Sequence, residues 1–315
     1  MSTIRVILLM LLSLTAGRSY AQYLTPDSGW YWNPSFSGSG YNIEFQDDQM
    51  YLSFFSYAAS GSPTFYTITG RFNTTTGRVA GDLITFSGGQ CIGCPYIFPQ
   101  IITVGPAVVQ FQNKSNAIIT LPRAGGSVAI PVERFVFAYG PLQADQKLGA
   151  WVTSIIFLAG PESDVIRIRR TQTNPDQSVI AVGDIYPTGR TVIGAADSIP
   201  GTSTNYSYLI DFSATSNALY IGEFTLSGFN GFYYIYPKGG QPNGPGVLAY
   251  GTRVAGPNTA NQILGLQNAP TNLKNYDGVR LEKAQRNASI DHPQIVEIRA
   301  VAARLEQLMR ENETR

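Results

Sequence analysis

Gly29-Trp30-Tyr31-Trp32-Asn33-Pro34-Ser35-Phe36-Ser37-Gly38-Ser39-Gly40 runs directly into Tyr41-Asn42-Ile43-Glu44-Phe45, and the fold is read outward from here. The second part alternates apolar and polar residues with period two, the pattern of a strand with one buried face. Asp47-Asp48-Gln49 turns the chain, and Met50-Tyr51-Leu52-Ser53-Phe54-Phe55-Ser56-Tyr57 returns as an aromatic strand. Ser60-Gly61-Ser62-Pro63 turns it again into Thr64-Phe65-Tyr66-Thr67-Ile68-Thr69. If the opening segment is extended, Trp30 and Trp32 share one face and Tyr31 takes the other.

Short apolar runs continue at Gly81 to Phe86, Ala107 to Gln112, Ala117 to Leu121 and Val132 to Ala138, most of them separated by Gly, Asn or Pro. Leu148-Gly149-Ala150-Trp151 reads as a second beginning. Strands are expected after it at Val152 to Leu158, Val165 to Arg169, Val179 to Asp184, Thr191 to Ala195 and Tyr206 to Phe212, then at Ala218 to Leu226, Gly231 to Tyr236 and Val247 to Val254. Strands at this spacing, with no helical pattern between them, predict an all-β chain of antiparallel sandwich- or barrel-like form, in one or two domains. Glu133-Arg134-Phe135 closes the first half and Gly251-Thr252-Arg253-Val254 the second, so the second half reads as a diverged repeat, although it lacks the Asn-Pro and Ser-Gly motif.

The expected boundaries are a leader over 1–21, β-rich domains over 22–146 and 147–256, a linker over 257–290 and a terminal helix over 291–312. The leader is a secretory signal: Arg5 precedes the apolar run Val6 to Leu14, and Ser19-Tyr20-Ala21 offers a small-x-small cleavage site. The run is shorter than the roughly 20 residues of a membrane span, and no later stretch reaches that length. The chain is therefore expected to be exported, periplasmic or extracellular, with no transmembrane segment after cleavage. In the terminal helix Asp291 and Gln294 form a capping box, while Ile295, Ile298, Ala302, Leu305 and Met309 recur at heptad-like spacing. Such a stripe suits a helix packed on the body or lying free in solvent better than a two-heptad coiled coil.

Composition narrows the function. Charged residues make up 14% of the chain, against about 25% in an average protein. Removing Arg5 and Arg18 with the leader takes the formal net charge from +1 to −1. With no basic cluster, a nucleic-acid partner is not expected. The single histidine, His292, falls at the start of the terminal helix, so no Ser-His-Asp or Cys-His arrangement can be built in the β-rich body. The same count leaves no histidine-rich zinc site, and no phosphate loop or dinucleotide fingerprint occurs, so no metal or cofactor is expected.

Cys91-Ile92-Gly93-Cys94-Pro95 holds both cysteines. A redox pair usually opens a helix that lowers the thiol pKa, and nothing helical follows here, so a small structural disulfide is the preferred reading. Glu44, Glu133, Asp211 and Glu223 lie in expected strands and are the carboxylates a glycosidase could use, though nothing selects a pair. No catalytic residue is assigned.

The opening motif, with Tyr57-Ala58-Ala59-Ser60-Gly61-Ser62-Pro63-Thr64-Phe65-Tyr66, resembles a widespread group of exported bacterial β-rich proteins of unassigned activity. Their G-x-W-W-N-P-x-x-S-G-x-G motif is followed by Y-x-x-x-G-x-P-T-W-Y. The resemblance covers about residues 29–137, with Phe65 in place of the second motif's tryptophan and Ala59 where Asp is common. It implies a β-rich fold and no specific activity.

The candidate ligand-binding residues are Trp30, Trp32, Asn33, Tyr57 and Phe65, since flat aromatics with polar tips can present a platform to a sugar or an apolar ligand. The expectation is a non-catalytic exported module that binds a surface polysaccharide or an envelope protein. The alternatives are a carboxylate-dependent glycoside hydrolase and an envelope component that self-associates through its terminal helix.

Overall fold

The computed structural model describes residues 25–140, 143–174, 176–186, 188–196, 205–243, 246–257 and 295–313. The chain divides into two compact units that part between Phe135 and Val136. The expected leader and linker, the capping box and His292 lie outside the described residues.

In the first unit eight antiparallel strands form a closed barrel in simple sequence order: β1 (Gly29–Trp32), β2 (Gly40–Gln46), β3 (Gln49–Tyr57), β4 (Pro63–Asn73), β5 (Arg78–Ser87), β6 (Gln100–Phe111), β7 (Asn116–Arg123) and β8 (Gly126–Arg134). The seam pairs Tyr31 with Arg134 and Trp32 with Glu133. Closure gives every strand a neighbour on both sides, although β6 before Val108 pairs with β5 alone. One residue of each alternating pair points inward, and Tyr41, Ile43, Leu52, Phe54, Ile68, Val109 and Ile119 fill the interior. Each such side chain contributes about 1.5–3 kcal/mol through removal of its apolar surface from water. Of the two expected architectures, sandwich or barrel, the chain adopts the barrel.

Several strands run beyond the sequence expectation, as β10 does at both ends, and β6 and β8 begin well before it. β6 begins at Gln100, well before Ala107, because the chain continues its pairing with β5 back to Ser87–Gln100 past a bulge between Leu83 and Ile84. β8 spans Gly126–Arg134 rather than 132–138. Pro131, which has no amide to donate, sits opposite Ile118 in the ladder. After Arg134 the Phe135 amide donates to the Trp30 carbonyl at 2.8 Å, and the strand ends.

The second unit repeats this topology: β9 (Gly149–Phe157), β10 (Gly160–Thr173), β11 (Val179–Tyr186), β12 (Arg190–Ala196), β13 (Asn205–Ile210), β14 (Ser216–Phe224), β15 (Gly228–Pro237) and β16 (Val247–Ala255), with β16 closing on β9. Its interior is packed with rings, among them Trp151, Tyr208, Tyr220, Phe224, Phe229 and Tyr233. Gly222 and Gly231 face each other across β14 and β15, where a Cβ on Gly231 would lie 2.2 Å from the Ile221 carbonyl oxygen. Only glycine allows that approach.

Here the outer face is also apolar, and the terminal helix α1 (Ile295–Glu313) covers it. Ile298, Ala302, Leu305, Leu308 and Met309 pack on Ile180, Val182, Ile193, Leu209, Leu219, Ile221 and Tyr234 of β11 to β15. Asn217 donates to Glu306 at 3.0 Å and Arg299 to the Pro242 carbonyl at 3.1 Å, which fixes the helix along the barrel. The expected heptad stripe is thus buried within its own unit from Ile298 to Met309.

Candidate functional site

The opening motif places its residues by alternation. Tyr31 points into the barrel, and its hydroxyl donates to the Asp27 carbonyl at 2.7 Å. Trp30, on the opposite face, is 42% exposed. Trp32 shares the face of Trp30 but is half-buried against Phe135, with ring centroids 5.1 Å apart. Asn33 is buried, and its Oδ1 accepts the Ser35 amide at 2.8 Å while its carbonyl accepts the Phe36 amide at 3.0 Å. That is Asx-turn chemistry, so Asn33 shapes the β1–β2 loop rather than presenting itself to a ligand. Tyr57 is 57% exposed, and its ring lies beside Gly38, where a Cβ would come within 3.6 Å of it.

Strand register assembles the rest. Gly40 pairs with Phe55, Phe55 with Phe65, and Phe86 with Ile101. The β4–β5 register sets Phe65 beside Phe86, whose rings stack at 5.5 Å and 13°. Trp30 leans over Gly40 to meet the Phe55 ring at 5.9 Å. The result is one row across the outer face: Trp30, Phe55, Phe65, Phe86 and Ile101. Phe65 is 45% exposed and Phe55 47%, so the row is open to solvent. Directly beneath it Tyr41, Phe54 and Tyr66 stack inside the barrel at 4.8 and 5.3 Å, which stiffens the sheet that carries the row.

The neighbouring outer row starts at Trp30, which pairs with Asn42, and is otherwise polar and uncharged over the next two strands. Asn42 pairs with Ser53 and Ser53 with Thr67; Asn42 and Ser53 are half-buried, while Thr67 is buried and not open to a ligand. An aromatic row flanked by the Asn42 amide and the Ser53 hydroxyl can take flat apolar faces on one side and hydroxyls on the other. Of the expected candidates, Trp30, Tyr57 and Phe65 lie on this face, Trp32 borders it, and Asn33 does not join it. Phe55, Phe86 and Ile101 were not singled out in the sequence. Only the strand register makes them neighbours.

The carboxylates do not converge. Glu133 pairs with Trp32 of β1, while Glu44 sits one step beyond the Gly29–Ile43 pair, opposite Ser28. Four residues of strand separate those levels by about 13 Å, beyond the roughly 5–9.5 Å of glycosidase pairs. In the second unit Glu223 pairs with Asn205 while Asp211 follows Ile210, six residues or about 20 Å along the same strand. Asp211 is ion-paired with Lys238. Asp164 is buried and accepts from the Tyr220 hydroxyl at 2.5 Å, as a single carboxyl group held by the barrel wall. Among the described residues no group of three or more His, Cys, Asp or Glu side chains could hold a metal ion. Among the described residues no helix is long and apolar enough to cross a membrane.

No protein-family model, no curated protein and no solved structure matches the chain.

Proposed function

We propose that the protein is an exported, non-catalytic binding module that holds a neutral surface polysaccharide on the outer face of its first barrel. The observation that carries this reading is the in-register row Phe55–Phe65–Phe86–Ile101, which Trp30 extends by leaning onto Phe55 from the neighbouring, uncharged row Trp30–Asn42–Ser53–Thr67. Sugar rings present an apolar face that stacks on aromatic rings and hydroxyls that bond to amide and hydroxyl groups beside them. The stacked interior rings hold the platform before a ligand arrives, so little ordering is lost on binding. A protein partner would favour arginine and a charged rim, and neither row contains an ionisable residue.

Affinity electrophoresis through gels loaded with neutral polysaccharides tests the reading. The wild type is retarded by at least one neutral polymer, and the Phe55→Ala/Phe65→Ala variant migrates freely while keeping its circular dichroism. Equal retardation of both proteins, or none across neutral polymers, contradicts it.

A further inference from the structure

The β5–β6 hairpin carries a second feature that the aromatic row does not use. From Leu83 to Asn113 the chain contains no Asp, Glu, Lys, Arg or His. The middle of that stretch, residues 88–99, is the hairpin tip, where Cys91 and Cys94 lie at disulfide distance and the Cys94 amide donates to the Cys91 carbonyl at 3.0 Å. Its apolar side chains face solvent: Ile92 is fully exposed and Phe98 is 69% exposed, with Tyr96 and Ile97 also open. The strands below project as a ribbon, since β6 pairs with β7 only over Val108–Phe111 but stays with β5 back to Gln100. Successive residues Ile101 and Ile102 point to opposite faces, and both are exposed.

We propose that this clipped tip inserts into the headgroup–acyl boundary of a lipid bilayer and anchors the first barrel there. The bilayer fits better than the other occupants. A polysaccharide needs hydroxyl and amide partners, and the tip offers only the Gln90 amide and the Tyr96 hydroxyl beside Ile92, Ile97, Phe98 and its prolines. Protein interfaces carry a polar, partly charged rim, and 31 consecutive residues here supply no charge. A lipid boundary penalises ionised groups and rewards apolar side chains with an amphipathic ring such as Tyr96 among them. Insertion stops at that boundary, roughly 5–10 Å deep, because an irregular loop in hydrocarbon would leave peptide groups without partners. The Cys91–Cys94 link holds the loop in shape beforehand, so less conformational freedom is lost on insertion. This inference does not rest on the polysaccharide reading, which uses the base of the hairpin and not its tip.

Flotation with phosphatidylcholine vesicles tests it, using the chain without residues 1–21 so that the apolar leader does not itself bind lipid; both barrels close without that segment. The wild type floats with zwitterionic vesicles in both low and high salt, since no charge attracts it. The Ile97→Asp/Phe98→Asp variant, whose altered side chains are exposed and whose fold is checked by circular dichroism, loses at least tenfold in partitioning. It keeps the polysaccharide retardation of the wild type. Failure of the wild type to float, or equal flotation of the variant, overturns the proposal. So does sedimentation showing that the tip residues hold two copies of the chain together without binding lipid.

Discussion

Arg253 stands opposite Trp151 across the β9–β16 seam, as Arg134 stands opposite Tyr31 across the β1–β8 seam. In each barrel the opening strand starts at a glycine with positive φ, places a fully buried ring two residues later, and receives an arginine from the closing strand. Arg134 donates to the Trp30 carbonyl at 2.8 Å and lies 5.7 Å from the Tyr31 ring. Arg253 lies between Tyr139 and Trp151, 4.4 and 4.6 Å from their rings, and donates to the carbonyls of Leu148 and Gln146. The guanidinium is suited to this because its fixed fork serves two carbonyls while its flat face rests on an indole.

Arg253→Ala should therefore destabilise the second barrel by about 2–4 kcal/mol, from lost charged hydrogen bonds and ring contact. Arg253→Lys should recover only a minor part of that loss. Urea unfolding of both variants, followed by the fluorescence of Trp151, measures the difference.

Gly29→Ala should weaken the seam of the first barrel. Its φ is +130°, and a Cβ would lie 2.2 Å from an Arg134 nitrogen. Backbone strain of this kind costs about 1–3 kcal/mol, and Arg134 must also give up its position. A lowered urea midpoint with an unchanged m-value checks it.

Leu305 is fully buried between α1 and the second barrel, so Leu305→Ala should cost about 2–5 kcal/mol. Truncation after Gly256 should go further and expose the apolar outer face of β11 to β15. Increased dye binding to exposed apolar surface, with the unfolding of the first barrel unaltered, is the expected result.

Alkali should unfold the first barrel through its interior tyrosine. Burial pushes the Tyr41 hydroxyl up to about 12, from an ordinary value near 10. Below pH 10 the folded and unfolded chains both keep this proton. Between pH 10 and about 12 the unfolded chain releases it and the folded chain does not, so stability falls as pH rises. Burial also raises Tyr208, Tyr234 and Tyr236 in the second barrel, with the same sign. Tyr41→Phe should flatten the loss of stability over that window, as read from denaturation midpoints at successive pH values.

Much of the fold was legible because a barrel strand with one wet face writes its burial as alternation. Tyr41 to Phe45 and Met50 to Tyr57 were plain for that reason. The start of β6 was not, since Ile101, Ile102 and Val104 belong to a ribbon exposed on both faces and show no alternation. The site was half legible. Trp30, Tyr57 and Phe65 stood out by residue type, whereas Phe55, Phe86 and Ile101 became their neighbours through cross-strand register, a long-range property. Asn33 was drawn in by its motif, and its side chain is occupied by the Ser35 amide.

The most direct test of the binding account follows the emission of Trp30. Trp151 is fully buried and Trp32 half-buried, so acrylamide should reach Trp30 first, and Trp30→Phe should remove the readily quenched fraction. Titration with the neutral polysaccharide that retards the protein should shield that fraction along a saturable curve, which Phe55→Ala/Phe65→Ala abolishes. A curve left unchanged by the double variant, or bound polymer that leaves Trp30 fully open to acrylamide, would contradict the account.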